Sequence, residues 1–111
     1  MGLKDKVQLL ALEKAFKSVD NFKEEKQIHD AYIYILEKAT SMINMSVFRL
    51  NNKEKLTDKK KKRELGKIKL NNRIKKYVEK NRDLLEKNTK VKELIVNYEI
   101  SLKELKEILS L

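Results

Sequence analysis

Apolar residues recur at intervals of three and four along almost the whole chain, which is the period of an amphipathic α-helix. Such spacing places side chains on one face, where they can pack together. The chain has no proline and only two glycines, Gly2 and Gly66, so the residues that usually form sheet turns are nearly missing. The pattern therefore predicts an all-α fold. Its clearest stripe is Val91, Ile95, Tyr98, Leu102, Leu105 and Leu109.

These stripes divide the chain into four predicted helices, at about 3–19, 21–50, 58–87 and 89–109. Asn21 and Glu24 have the spacing of a capping box for the second helix, with Asp20 as an alternative cap, and Thr57 or Asp58 can cap the third. Because the links are short, we expect an antiparallel four-helix bundle, in a single helical domain spanning residues 1–111.

The link between the third and fourth helices leaves an alternative open. It reads EKNTK and contains neither Gly nor Pro, so one continuous helix from Asp58 to Leu109 also fits the sequence. In that arrangement the chain would be an extended hairpin, forming a homodimer through its C-terminal helix.

The middle of the second helix, AYIYILEKATSMINMSVF at 31–48, is apolar on nearly every side. This is typical of a helix that is covered by several neighbours. We therefore expect Met42, Met45 and Phe48 to lie in the core, together with Tyr32 and Tyr98 as core or core-edge aromatics. Tyr34 is the exception and is expected to face a partner. Since Glu37 and Lys38 interrupt this stretch, no transmembrane segment is expected.

Positive charge is concentrated in one third of the chain. The net charge is +10, but residues 49–82 hold 15 Lys or Arg and four acids, while the remainder holds 12 bases and 13 acids. Lysine-rich composition alone could reflect no more than solvated helix surfaces. It does not explain why the charge is segregated, and segregation favours a functional basic surface.

On a helix that turns about 100° per residue, five of these cations fall within about 80° of one another, beside an apolar strip. They are Lys62, Lys69, Arg73, Lys76 and Lys80. Several cations at one to two turns' spacing suit a phosphate backbone, to which Arg can bind bidentately and Lys acts as a point charge. The predicted nucleic-acid-binding residues are these five with Arg63 and Arg82.

The sequence contains no motif typical of an enzyme. There is no Gly-rich phosphate loop, no nucleophile elbow and no cysteine, and His29 is the one histidine. Glu25 lies four residues before His29, but a metal or acid–base site needs further partners. We therefore predict a non-enzymatic protein with no catalytic, cofactor or metal residues, and interpret His29 as an ordinary helix-side histidine.

Two resemblances accompany these patterns. The segment RIKKYVEKNRDLLEK at 73–87 resembles the last helix of microtubule-interacting-and-trafficking domains, although the preceding helices do not align with that family. The size, basicity and helix count are similar to those of bacteriocin immunity proteins, with no shared motif. Each is an analogy of fold alone.

The preferred prediction is a cytoplasmic helical protein that contacts nucleic acid, or a nucleoprotein complex, through the basic ridge of the third helix. The absence of cysteine fits a reducing compartment. The alternative is a protein–protein interaction module, such as an inhibitor, immunity factor or adaptor, that binds an acidic partner. Attachment to an anionic membrane surface is a third hypothesis, because polybasic helices also bind lipid headgroups.

Overall fold

The computed structural model describes residues 2–52 and 55–111, with side chains from residue 6 onward, and this part of the chain is helical without any strand. It forms five α-helices and one 3-10 turn, Val19–Asn21. The helices are α1, Gly2–Ser18; α2, Glu25–Asn51; α3, Asp58–Lys80; α4, Arg82–Leu85; and α5, Thr89–Ile108. The all-α prediction is confirmed. The predicted four-helix bundle is not confirmed, because the third predicted helix is divided into α3 and α4.

Helices α2 and α5 form the closest pair in the described chain, and α1 and α3 pack against them. Helix α3 runs back along α2, since Lys67 lies beside Ser46 and Tyr77 stacks on Tyr32. The chain thereby returns to the start of α2, where Lys87 Nζ lies 3.2 Å from Glu25 Oε1. Helix α5 leaves from this end, so α2 and α5 run in the same direction.

The helix boundaries follow from local hydrogen bonds. The Thr57 hydroxyl accepts from the Lys60 backbone N–H at 3.2 Å, which caps α3 as predicted. At the other end, the side-chain amide of Asn81 donates to the Tyr77 carbonyl at 3.0 Å, and its backbone leaves the helical region at φ −115° and ψ 25°. Asn88 then caps α5 by accepting from Val91 N–H at 3.1 Å. These caps exclude the single continuous helix.

The predicted capping box at the start of the second helix was wrong. Asn21 ends the 3-10 turn, whose last bond joins Phe22 N–H to the Val19 carbonyl at 3.0 Å. Glu24 then takes an extended conformation as the N-cap of α2, with no side-chain cap bond. The helix therefore begins four residues later than expected, at Glu25.

Two buried tyrosines connect α3 to its neighbours. The Tyr98 hydroxyl lies 2.9 Å from both the backbone carbonyl and the side-chain oxygen of Asn71. The ring of Tyr32 stacks on Tyr77 at a centroid distance of 5.0 Å, and Phe16 meets Tyr77 edge-on at 6.2 Å. Burial raises the pKa of Tyr32 and of Tyr98 above the ordinary range, which keeps both phenols protonated.

The apolar stripe predicted for the last helix lies inside the chain's own core. All six of its members are at least 95% buried: Val91, Ile95, Tyr98, Leu102, Leu105 and Leu109. Because α2 and α3 cover them, these positions do not offer an exposed seam to a second chain. A homodimer through α5 would have to use other residues.

A pair of isoleucine substitutions tests this assignment of the core. Ile35 is fully buried, whereas Ile100 is 62% exposed. We expect Ile35→Ala to lower the free energy of unfolding by about 2–5 kcal/mol, because it leaves a cavity. Ile100→Ala should change it by less than about 0.5 kcal/mol. Chemical denaturation measures both values, and equal losses would contradict the packing.

Candidate nucleic-acid interface

One side of α3 carries exposed cations, while the other side faces the core. The buried side includes Ile68, Leu70, Ile74 and Val78. Among the exposed cations of α3, five lie within about 80° of one another, and we call these the basic face: Lys62, Lys69, Arg73, Lys76 and Lys80. Successive cations at seven-residue spacing, such as Lys62 and Lys69, are about 10 Å apart along the helix axis. The basic face therefore extends over about five turns of α3.

Arg73 belongs to the basic face and also contacts α1. Its guanidinium carbon lies 5.5 Å from the centroid of the Phe16 ring, within the range of a cation–π interaction. Arg73 also contributes, after the larger effect of the Lys17 hydrogen bond, to lowering the pKa of Glu13. A substitution at Arg73 would therefore disturb the contact between α1 and α3 as well as the charge.

Arg82 lies outside the basic face and holds α5 in place. Its Nη2 atom donates to both carboxylate oxygens of Glu99 at 3.1 Å, and Nη1 donates to Glu86 at 3.3 Å. The Glu99 hydrogen bond is the main cause that raises the pKa of Arg82. This guanidinium is already neutralised by two carboxylates, so it is poorly placed to bind phosphate.

Arg63 also departs from the predicted set. It follows Lys62 by one residue, about 100° around the helix, and is partly buried. Of the seven predicted contact residues, the structure therefore brings five together, places Arg63 on another side of α3 and places Arg82 in α4.

Lys67, in the middle of the basic segment, is a buried residue that sequence reasoning missed. Its side chain is 3% exposed and its ammonium donates to Glu64 Oε1 and to the Ser46 hydroxyl, each at 3.1 Å. The sequence did indicate this burial, because position 67 lies three residues before Leu70 and seven before Ile74, on the same apolar side of the helix. Charge on α3 is thus divided between a buried structural pair and an exposed face.

The remaining candidates were His29 and the apolar residues of α2. His29 is partly buried, with Nε2 2.7 Å from the Leu84 carbonyl, so it joins α2 to α4. Among the described residues, no three His, Asp or Glu side chains are grouped to hold a metal ion.

Met42 is buried as predicted, but Met45 is 51% and Phe48 67% exposed, so their assignment to the core was wrong.

The geometry defines an all-helical protein with an exposed basic helix. None of the helices within 2–52 and 55–111 has the length and apolar character needed to cross a bilayer. The sequence and fold were also compared with known proteins. No family model, curated protein or solved structure matches this chain.

The buried pair makes a prediction that separates Lys67 from the basic face. Lys67→Met leaves Glu64 buried without its cation, and we expect a loss of about 3–5 kcal/mol in unfolding free energy. The double variant Glu64→Leu/Lys67→Met should recover most of this loss, because no uncompensated charge remains. Lys69→Met, two residues along on the exposed side, is the matched control and should be nearly neutral. Denaturation curves in which the Lys67 and Lys69 variants behave alike would refute the assignment.

Proposed function

We propose that this protein is a non-enzymatic binding protein that contacts the phosphate backbone of nucleic acid, alone or within a nucleoprotein complex, through the basic face of α3. The observation that carries the proposal is the joint exposure of Lys62, Lys69, Arg73, Lys76 and Lys80 on one side of a single helix. A rigid helix holds these cations at fixed intervals, so binding costs little backbone conformational entropy.

The basic face is suited to phosphates more than to bases. Lys ammonium groups act as point charges toward phosphate oxygens, and binding releases the counterions condensed on the nucleic acid. Base stacking needs exposed aromatic rings. Tyr77, the one aromatic residue in the 49–82 segment, is partly buried and stacked on Tyr32. We therefore expect affinity that depends strongly on salt and little on base sequence.

Helix stability gives no reason for the basic start of α3. Five consecutive cations follow Asp58, the first residue of the helix. The N-terminus of a helix carries partial positive charge, so cations in its first turn are electrostatically unfavourable there. A sequence selected for folding alone would place them near the C-terminus. The helix dipole therefore does not account for Lys62, the one of these five that belongs to the basic face.

A charge-removing variant tests the proposal. Lys62, Lys69, Lys76 and Lys80 can all be changed to Gln, which forms helix well, and Arg73 is kept because it packs on Phe16. Affinity for a short duplex, measured by fluorescence anisotropy at several salt concentrations, should fall. If all four lysines neutralise phosphates, the log–log slope should decrease by about 3.6, at about 0.9 per contact. The melting temperature should change little.

The matched control removes the same charge from other helices. Lys6, Lys14, Lys26 and Lys103 are exposed and lie outside α3, so changing them to Gln lowers the net charge equally. The control should keep most of the affinity and nearly the whole salt slope. Equal losses in the two variants would mean that net charge alone attracts the duplex. If the wild type binds neither DNA nor RNA, the proposal fails, and capture of an acidic protein or anionic vesicles by the basic face becomes the test.

A further inference from the structure

An open groove between α3 and the end of α5 brings together lysines from two helices. Lys69 and Asn72 of α3 and Lys106 of α5 are its polar lining, and its apolar lining is Leu65, Ile68 and Leu111. Lys69 belongs to the basic face, so this groove is where the basic face meets α5. Sequence reasoning did not assign Lys106 to any site, because it lies 37 positions after Lys69 on another helix.

The two lysines of this groove have no carboxylate partner. Neither Lys69 nor Lys106 forms an ion pair with an Asp or Glu in the part of the chain that the structure describes. Other lysines of α3 are paired, since Lys67 lies 3.1 Å from Glu64 and Lys75 lies 3.9 Å from Glu79. The groove therefore holds two positive charges that are not neutralised by the described residues.

The surroundings of Lys106 make its charge costly. Lys106 is partly buried, and burial is the main cause that lowers its pKa. The positive charge of Lys75 lowers this pKa further. Glu79 acts in the opposite direction with the smallest effect, and it is already paired with Lys75. An anion bound in the groove would stabilise the charged form of Lys106.

Helix ends explain only one of the two lysines. Lys106 lies in the last turn of α5, where the partial negative charge of the helix end favours a cation. Lys69 lies near the middle of α3, Asp58–Lys80, where no such effect acts. Its place in the groove, opposite a second unpaired lysine, needs another reason. A shared anionic ligand supplies that reason.

The donors of the groove suit a phosphate group. Each lysine ammonium offers three hydrogen-bond donors, and the exposed side-chain amide of Asn72 offers two more. A phosphate has several acceptor oxygens, which can take hydrogen bonds from both helices at once. We infer that Lys69, Asn72 and Lys106 together bind one phosphate group between α3 and α5. The inference rests on the proposed function for the source of that phosphate, the nucleic-acid backbone, and it extends the interface onto α5.

A titration of the lysine side chains by NMR tests the groove with inorganic phosphate alone. The pKa of Lys106 should be higher in sodium phosphate than in sodium chloride of equal ionic strength, because a bound anion stabilises the ammonium. Lys90 is the reference, since it is exposed and lies on α5 about 24 Å along the axis from Lys106 and about 160° around it. The pKa of Lys90 should be the same in both salts. An unchanged Lys106, or equal rises at both lysines, overturns the inference.

A duplex titration identifies the source of the phosphate. Lys106→Gln should lower the affinity for a short duplex about two- to five-fold, the effect of one exposed charge pair. Lys90→Gln removes the same charge from the same helix and should leave the affinity unchanged. Equal losses overturn the extension of the interface onto α5, while the four-lysine variant of α3 still decides the proposed function by itself. A wild type that binds no duplex refutes the proposed function, and a rise confined to Lys106 then supports a groove for free phosphate.

Discussion

The parallel packing of α2 against α5 is the contact on which the rest of the structure depends. Two helices that start at the same end need a third to bring the chain back, and α3 does so. The α2/α5 pair supplies most of the fully buried large side chains, including Tyr32, Ile35, Ile95 and Tyr98. With α1 and α3 packed on this pair, one side of α3 and one side of α2 remain in solvent. The two exposed surfaces follow from that arrangement.

Periodicity alone could predict the parts of the fold that depend on one helix at a time. The buried stripe of α5 and the shared exposure of the five cations follow from spacing along a single segment. Residue type predicted the cap of α3 but left Thr57 and Asp58 open, and the structure uses Thr57. The break at Asn81 could not be predicted this way. No Gly or Pro marks it, and it depends on an amide that bonds back to Tyr77.

Apart from Arg63, which lies at another angle on the same helix, the errors at the candidate site come from contacts between residues on different helices. Arg82 does not join the basic face, because it lies in α4 and Glu99, 17 positions away, accepts its hydrogen bond at 3.1 Å. Lys67 is buried because Ser46 of α2 and Glu64 surround its ammonium. Met45 and Phe48 look like core residues in the sequence, but neither α1 nor α5 covers the outer side of α2. Spacing identifies the face of a helix, while tertiary contacts decide what that face meets.

Helix α3 divides its charge between a buried pair, Glu64 and Lys67, and an exposed face that we propose binds phosphate. The most direct measurement is a backbone amide NMR titration with a short duplex at low and at raised salt. We expect shifts concentrated around Lys62, Lys69, Lys76 and Lys80, shrinking as salt rises, while the amides of 34–48 in α2 change little. Shifts centred on α2, or spread evenly over all helices, would contradict the account.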